Sequence, residues 1–294
     1  MKKILNLNNT VHYKNCSCVI VSFNPDETLI DNLRIHLILF NKIIIFDNNS
    51  DYSKLKLIES FCKDYTQIQI LKSNKNHGIG YALNRGIEKL KNSNDWICFF
   101  DQDSCPPKNL FDAYNSVISS KDLTKKIGLI GVGFSQKLEY FSSFNFKNSL
   151  SIITSGSLIS SKNISKTGFF NEIFFIDSVD FEFNLRLAKL GFGTYLIEQK
   201  LLQHNLGNEI CVKLFGLNIC STNHNEIRRF YMSRNHIVIS LKYLNSFPFW
   251  VLKKNIYYLE SLLKIILVEK NRTAKLKSCF KGLISGLKLH KKII

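Results

Sequence analysis

Two carboxylates one residue apart, Asp101 and Asp103, close the apolar run Trp96-Ile97-Cys98-Phe99-Phe100 and stand before Ser104-Cys105-Pro106-Pro107. Acids so spaced can share one hard cation, and a cation held there can bridge the phosphates of a nucleotide. An isolated Asp-x-Asp is more often a solvated turn, so its meaning depends on what surrounds it. The run before it, bounded by polar residues and prolines, has the pattern of a fully buried strand in a parallel sheet. In open α/β sheets ligands bind beyond the carboxyl ends of the strands, and the two acids lie at such an end.

Other residues able to do chemistry fall into the same kind of context. Asp47 ends a second apolar run, Ile43-Ile44-Ile45-Phe46, where it either caps a turn before a helix or accepts hydrogen bonds from a nucleobase imide or a ribose hydroxyl. Gly78-Ile79-Gly80 opens a helix; this is a glycine-rich helix entry or a place where exposed N–H groups meet a phosphate. Three acids, Asp177, Asp180 and Glu182, sit among Phe174, Phe175, Ile176, Val179, Phe181 and Phe183 just before a helix. Asp177 reads as its N-cap and Glu182 as a solvated acid of its first turn, while an acid projecting from a helix start beside a metal site could act as a general base. His204 follows an extended run and precedes Gly207, and can complete a carboxylate-rich metal site.

Positioning these residues requires alternating strands and helices. Cys16–Phe23 reads as a strand, with a helix beginning at Asn24-Pro25-Asp26-Glu27 and running to about Leu39. Ile43–Asp47 and Gln67–Leu71 are further strands, with a helix over Ser53–Lys63 between them. Ile79, Leu83, Ile87 and Leu90 mark one face of a third helix, and Trp96–Phe100 is the fourth strand. This alternation is the signature of βαβ units, and it brings Ser22, Asp47 and Asp101 to one rim. Further on, Ile127–Val132, Ser151–Thr154 and Tyr195–Leu202 are strand-like; Thr154-Ser155-Gly156-Ser157 is a tight corner or a backbone approach to a ligand. Helices are predicted over Ile227–Leu244, Pro248–Val268 and Thr273–His290.

The chain has 294 residues, 45% of them hydrophobic, enough for a large core plus an appendage. Residues 1–223 are expected to form the main domain and 224–294 a helical basic extension. The eight cysteines show no C-x-x-C spacing, which argues against a zinc module or a secreted disulfide framework and for a reducing cytoplasm. The polar N-terminus lacks the form of a signal peptide, and no stretch has 18 unbroken apolar residues, so a membrane span is not expected. Net charge is +17, and residues 224–294 carry 15 Lys and Arg against 3 Glu. Trp250, Leu252, Ile256, Tyr257, Leu259, Leu262, Leu263 and Ile266 are interleaved with lysines. That is either a packed helix pair with a solvated basic face or a surface for anionic lipid. Nucleic acid is disfavoured as partner: the basic tail holds no reading module, and the acid-rich rim repels phosphate unless a cation intervenes.

Seven strings occur in one order: Val-Ser-Phe-Asn-Pro (21–25), Phe-Asp-Asn-Asn-Ser (46–50), Asn-x-Gly-Ile-Gly-x-Ala-x-Asn (76–84), Phe-Asp-Gln-Asp-Ser (100–104), Phe-Ile-Asp-x-Val-Asp-x-Glu (175–182), His-x-x-Gly (204–207) and Arg-x-x-Tyr-x-x-x-Arg-Asn (228–235). In these the sequence resembles the bacterial inverting glycosyltransferases of family 2. These have the GT-A fold, a Rossmann-like mixed α/β sheet flanked by helices, and use nucleotide-diphosphate sugars. It is most similar to the rhamnosyltransferases of surface-polysaccharide synthesis. The resemblance implies that Ser22 and Asp47 hold base and ribose, with Asn76 and Gly78 near the donor. It makes Asp101 and Asp103 the acid pair, with His204 a further ligand of Mg²⁺ or Mn²⁺. Asp180 falls at the catalytic base, although Val179-Asp180 replaces the usual Glu-Asp and leaves Asp177 an alternative. Arg228, Tyr231 and Arg234 would reach the diphosphate or the acceptor. The implied donor is dTDP-L-rhamnose, and the acceptor a saccharide or lipid-linked saccharide of O-antigen, capsule or another surface polysaccharide. The implied place is the cytoplasm, at the inner face of its membrane. A non-catalytic scaffold of the same fold is the alternative.

Overall fold

The computed structural model describes residues 10–90, 95–120, 123, 125–135, 141–203, 209–214 and 217–293. The chain divides into two compact units, Met1–Glu172 with Phe183–Asn205, and Ile173–Glu182 with Leu206–Ile294.

In the first unit the expected alternation is present: β1 (Cys16–Ser22), α1 (Thr28–Leu39), β2 (Lys42–Asp47), α2 (Tyr52–Cys62), β3 (Ile68–Lys72), α3 (Ile79–Leu90) and β4 (Trp96–Asp101). There follow α4 (Leu110–Ile118), β5 (Ile127–Ser135), β6 (Phe146–Asn148), β7 (Ser157–Ser160), α5 (Ser161–Thr167), α6 (Val179–Lys189), whose residues up to Glu182 belong to the second unit, and β8 (Gly193–Gln203). The eight strands form one sheet in the order β3-β2-β1-β4-β7-β5-β8-β6. Its first four strands are parallel, β7 runs antiparallel to both β4 and β5, and β8 is parallel to β5 and antiparallel to β6. The central parallel strands β1 and β4 are largely apolar because both faces are covered; Cys18, Val19, Ile20, Ile97, Cys98 and Phe99 have no exposed surface.

Two local expectations are corrected. α1 begins at Thr28, not at Asn24. Asn24 sits at φ 47°, donates its backbone N–H to Ser50 Oγ (2.8 Å) and accepts the Asp51 N–H on its side chain (2.7 Å), so it braces a loop and does not cap a helix. Ser151–Thr154 is not a strand; the strand begins at Ser157, after a corner in which Gly156 takes φ 70°.

The second unit contains β9 (Ile210–Leu214) and β10 (Leu217–Ser221), an antiparallel pair joined by a Cys211–Cys220 disulfide. That bond departs from the expectation of wholly reduced cysteines; the other six are free and buried. Glu209 lies close to both sulfurs, but their pairing removes them as metal ligands. Three helices complete the unit: α7 (Glu226–Tyr243), α8 (Pro248–Val268) and α9 (Arg272–Ile293). Gly282 and Gly286 let α9 close on α7, since a Cβ at Gly286 would meet the Arg234 carbonyl oxygen at 2.6 Å. No helix among the described residues is long and apolar enough to cross a membrane.

One buried ionic cluster ties this unit together. Glu269, 1% exposed, accepts hydrogen bonds from Arg229, from Ser221 and from Lys275 (2.8 Å), and Arg229 and Lys275 are themselves buried. Arg229 also reaches Ser261 and Lys275 reaches Asn223, so α7, α8, α9 and the end of β10 meet on one carboxylate. Removing one partner of a buried ion cluster leaves uncompensated charge, at a cost of about 3–5 kcal/mol. Glu269→Ala is therefore expected to lower unfolding free energy by about that amount in urea titration; a loss near zero would show that the cluster is not structural.

Candidate active site

The parallel strands bring Ser22, Asp47 and Asp101 to one rim, with Ser22 in register with Asp47 and Val21 with Asp101. Asp47 is 2% exposed, and its carboxylate accepts the Ser50 N–H at 3.1 Å and the Ser50 hydroxyl. It thus caps the turn leading to α2. Carboxylate oxygens each carry two acceptor sites, so this does not exhaust it. Ser22, also buried, accepts the Asn48 N–H on its carbonyl at 2.8 Å.

Asn48 carries the rim across to the entry of α3. Its side chain accepts the His77 N–H (2.9 Å) and donates to the Gly78 carbonyl (3.3 Å), while Asn76 Oδ1 accepts the Gly78 N–H (2.9 Å). Gly78 takes φ 86°, a conformation glycine adopts without strain, and it turns the chain sharply into the helix. At the first turns of α3, Gly80 lies against the backbone of Asn171 and Glu172. Asn84 latches the same segment: it accepts the Phe170 N–H (2.9 Å) and donates to the Phe170 carbonyl (2.9 Å) and Glu172 carboxylate (2.8 Å).

The acid pair follows β4 on a braced turn. The Asp101 N–H donates to Ser155 Oγ (3.1 Å), Ser155 donates to Ser104 Oγ (2.8 Å), and the Ser104 N–H returns to the Asp101 carbonyl (3.1 Å). The small-residue corner at 154–157 is therefore the buttress of the acid turn. Gln102 is turned elsewhere: its side chain accepts the Phe23 N–H (2.8 Å) and its carbonyl accepts from Asn32 (3.3 Å), fixing the turn to the loop after β1 and to α1. Asp101 and Asp103 are half-buried oxygen donors, a set suited to a hard divalent cation. Two residues beyond Asp103, Cys105 exchanges backbone hydrogen bonds with Gln203 (3.0 and 3.1 Å). His204, the next residue, lies outside the described residues.

The second unit holds the other acids. Asp177 and Ser178 both take positive φ (60° and 67°) before α6 begins. The Arg228 guanidinium grips the Asp177 carboxylate through two hydrogen bonds of 3.1 Å. Asn235 donates to the Ile176 (2.7 Å) and Asp177 (2.9 Å) carbonyls, Arg234 donates to the Ile173 carbonyl (2.5 Å), and Tyr231 stacks on Phe175 (4.9 Å). The residues expected to reach a diphosphate or acceptor, Arg228, Tyr231 and Arg234, are thus set against segment 173–177. Glu182 is corrected outright: it is 1% exposed and accepts from Lys242 (2.8 Å) and Tyr243 (3.1 Å), so it is a buried anchor and not a solvated acid.

Asp180 lies between these two anchors. Part of its surface reaches solvent, but protein encloses the carboxyl, and that desolvation, helped by the nearby Asp177 charge, pushes its pKa up to about 7 against the pull of the Phe181 N–H and Lys254. Lys254 from α8, its ammonium 3.7 Å from the Phe181 ring centroid, is itself shifted down by burial. Lys254 is one of the lysines interleaved with the apolar residues after Trp250, and the one local signal that sets it apart is its place a helical turn after Trp250, over whose ring it also lies (5.3 Å).

Comparison with known proteins bears on the fold and the class of reaction. The family model described as Glycosyl transferase family 2 matches residues 17–115. Over 295 residues the chain is 26% identical to the dTDP-rhamnosyl transferase RfbF of Shigella flexneri, covering 93% of this chain and 96% of that one. Two solved structures share the fold at lower identity. GalNAc-T7 with UDP, GalNAc and Mn²⁺ superposes with a TM-score of 0.57 at 15% identity, over 81% of this chain and 50% of that one. Mannosyltransferase PcManGT from Pyrobaculum calidifontis, with GDP-Man and Mn²⁺, gives 0.55 at 10% identity, over 95% and 78%. The protein is a glycosyltransferase with the GT-A fold. The stretch that the family 2 model matches runs from β1 into α4.

With Asp180 in the role of base proposed below, kcat/KM for transfer is expected to fall on the acid side with a midpoint near 7, because a base loses function as pH falls through its pKa. Lys254 favours the charged carboxylate, and Lys254→Met is therefore expected to move that limb to higher pH. A limb unmoved by the substitution would remove Asp180 or Lys254 from the proton chemistry.

Proposed function

We propose that the chain is an inverting, metal-dependent rhamnosyltransferase that takes dTDP-L-rhamnose as donor. The observation carrying the donor is the likeness to dTDP-rhamnosyl transferase RfbF along nearly the whole of both chains. The acceptor we infer is a saccharide, free or lipid-linked, of O-antigen, capsule or another surface polysaccharide.

In this reading Ser22 and Asp47 receive the base and ribose, and Asn76 and Gly78 border the donor at the entry of α3. Asp101 and Asp103, with His204, would hold Mg²⁺ or Mn²⁺, which when bound offsets charge on the diphosphate leaving group. Asp180 takes the proton of the acceptor hydroxyl as that oxygen attacks the anomeric carbon and the bond to the diphosphate breaks in line, so the product has inverted configuration. Asp177 is already paired with Arg228. Its neighbour Asp180, with a pKa near neutrality, is the better proton acceptor. Arg228, Tyr231 and Arg234 position this base through segment 173–177. Basic α9 suits a lipid-linked acceptor at an anionic membrane: Lys277, Lys281 and Lys288 are exposed beside Phe280, Ile284 and Leu287, and the helix carries no acid.

The test is donor turnover with Mg²⁺ or Mn²⁺ across dTDP-, UDP- and GDP-sugars, followed by nucleoside-diphosphate release and paired with direct donor-binding titration. Selective use of dTDP-rhamnose, abolished by EDTA and by Asp103→Asn, is the expected result. Asp180→Asn is expected to lower kcat by about 10²–10⁴-fold while donor binding persists. Tight binding and turnover of another nucleotide sugar would overturn the rhamnosyl assignment, and near-normal transfer by Asp180→Asn would overturn the base.

A further inference from the structure

α8 presents an apolar seam to solvent. Phe249, Leu252, Ile256, Leu259, Leu263 and Ile266 succeed one another in alternating steps of three and four residues, and all are exposed, from 86% at Phe249 to 45% at Ile266. On a helix this spacing makes one narrow stripe with the 3.5-residue period of a coiled-coil seam. α8 packs within its own unit by the opposite side, where Val251 and Ile265 are buried. A continuous exposed apolar stripe of this size marks an association surface.

The seam is also symmetric. With Phe249, Ile256 and Leu263 at one heptad position (a) and Leu252, Leu259 and Ile266 at the other (d), the stripe has a midpoint between Tyr257 and Tyr258. A second α8 laid antiparallel about that midpoint sets Phe249 opposite Ile266, Leu252 opposite Leu263 and Ile256 opposite Leu259, each a against a d. Such self-complementarity is what a two-fold interface requires.

The flanking charges agree with the same arrangement. Lys253 and Glu260 are exposed, lie on the same edge of the seam and both follow a d residue. In an antiparallel pair that edge meets its own counterpart, so Lys253 of each copy comes beside Glu260 of the other, twice by symmetry. In a parallel pair the facing positions would be Pro248 and Asn255, which match neither charge. Glu260 also pairs with Lys264 of its own helix at 2.8 Å, an exposed contact of the kind that contributes little and leaves room for a second partner. Anionic lipid is the weaker fit for this face. Lys253 and Lys264 are offset by Glu260, and Lys254, expected among the solvated lysines, lies against Phe181.

We propose that α8 is the interface of a homodimer, paired antiparallel across a two-fold axis between Tyr257 and Tyr258. The same helix then pairs two copies by its seam and sets Lys254 near Asp180 within each.

Sedimentation equilibrium of the full chain tests this. The wild type is expected to be a dimer and Leu259→Glu, an exposed and hence fold-compatible change, a monomer with unchanged circular dichroism. Lys253→Glu and Glu260→Lys are each expected to raise the dissociation constant roughly ten-fold, with the double exchange restoring it. Phe249→Cys mixed with Ile266→Cys is expected to cross-link, whereas Phe249→Cys alone is not, because its two copies would lie about 25 Å apart. A wild type that stays monomeric at roughly 100 μM, or cross-linking by Phe249→Cys alone, would overturn the proposal. A monomer whose binding to phosphatidylglycerol vesicles is lost in Leu259→Glu would also overturn it, in favour of lipid on the seam.

Discussion

The segment 173–182, which carries the proposed base Asp180, depends on the hold that α7 has on it. Asp177 and Ser178 occupy left-handed backbone, which costs non-glycine residues on the order of 1–3 kcal/mol each. That conformation persists because it is over-determined. Arg228 clamps the Asp177 carboxylate, the Asn235 amide spans two successive carbonyls, and Glu182 is fixed to Lys242 and Tyr243. Asp180 stands between anchors at 177 and 182 and has little freedom to move. Its proton affinity follows from the same packing: enclosure raises it, and Lys254 keeps the rise within reach of neutrality.

The rim of the parallel sheet is organised by a different device. There the acids carry short side chains on turns that are tied down by neutral polar residues. Gln102 binds the acid turn to the loop after β1, Ser155 and Ser104 close it from beneath, and Asn48 joins the end of β2 to the entry of α3. Neutral partners of this kind fix the geometry of the turn that carries Asp101 and Asp103, two oxygen donors of the type a hard cation takes.

Much of this was legible in the chain. Buried parallel strands are near-continuous apolar runs, so β1, β2 and β4 stood out, and the acids at their ends marked the rim. α8 was bounded correctly at Pro248 and Val268 because proline starts it and its apolar residues recur with helical period. The errors have physical causes. Asn24-Pro25 imitates a helix cap, but the Asn side chain is claimed by a residue 27 positions away, a contact invisible to local pattern. β7 was missed because it is four residues long with serine at both ends. Glu182 was misread because a first-turn acid is ordinarily solvated, and its partner Lys242 lies 60 positions on. The pairing of Arg228 with Asp177 and the approach of Lys254 to Asp180 were hidden for the same reason: both arise through tertiary packing on one short segment.

The most direct test of the account is the titration of the Asp180 carboxyl, followed by carbon NMR in protein labelled at aspartate and assigned with Asp180→Asn. A midpoint near 7 is the expected result. A midpoint near 4, the range of an ordinary solvated aspartate, would contradict it, for the segment would then hold an acid in place without making it a base.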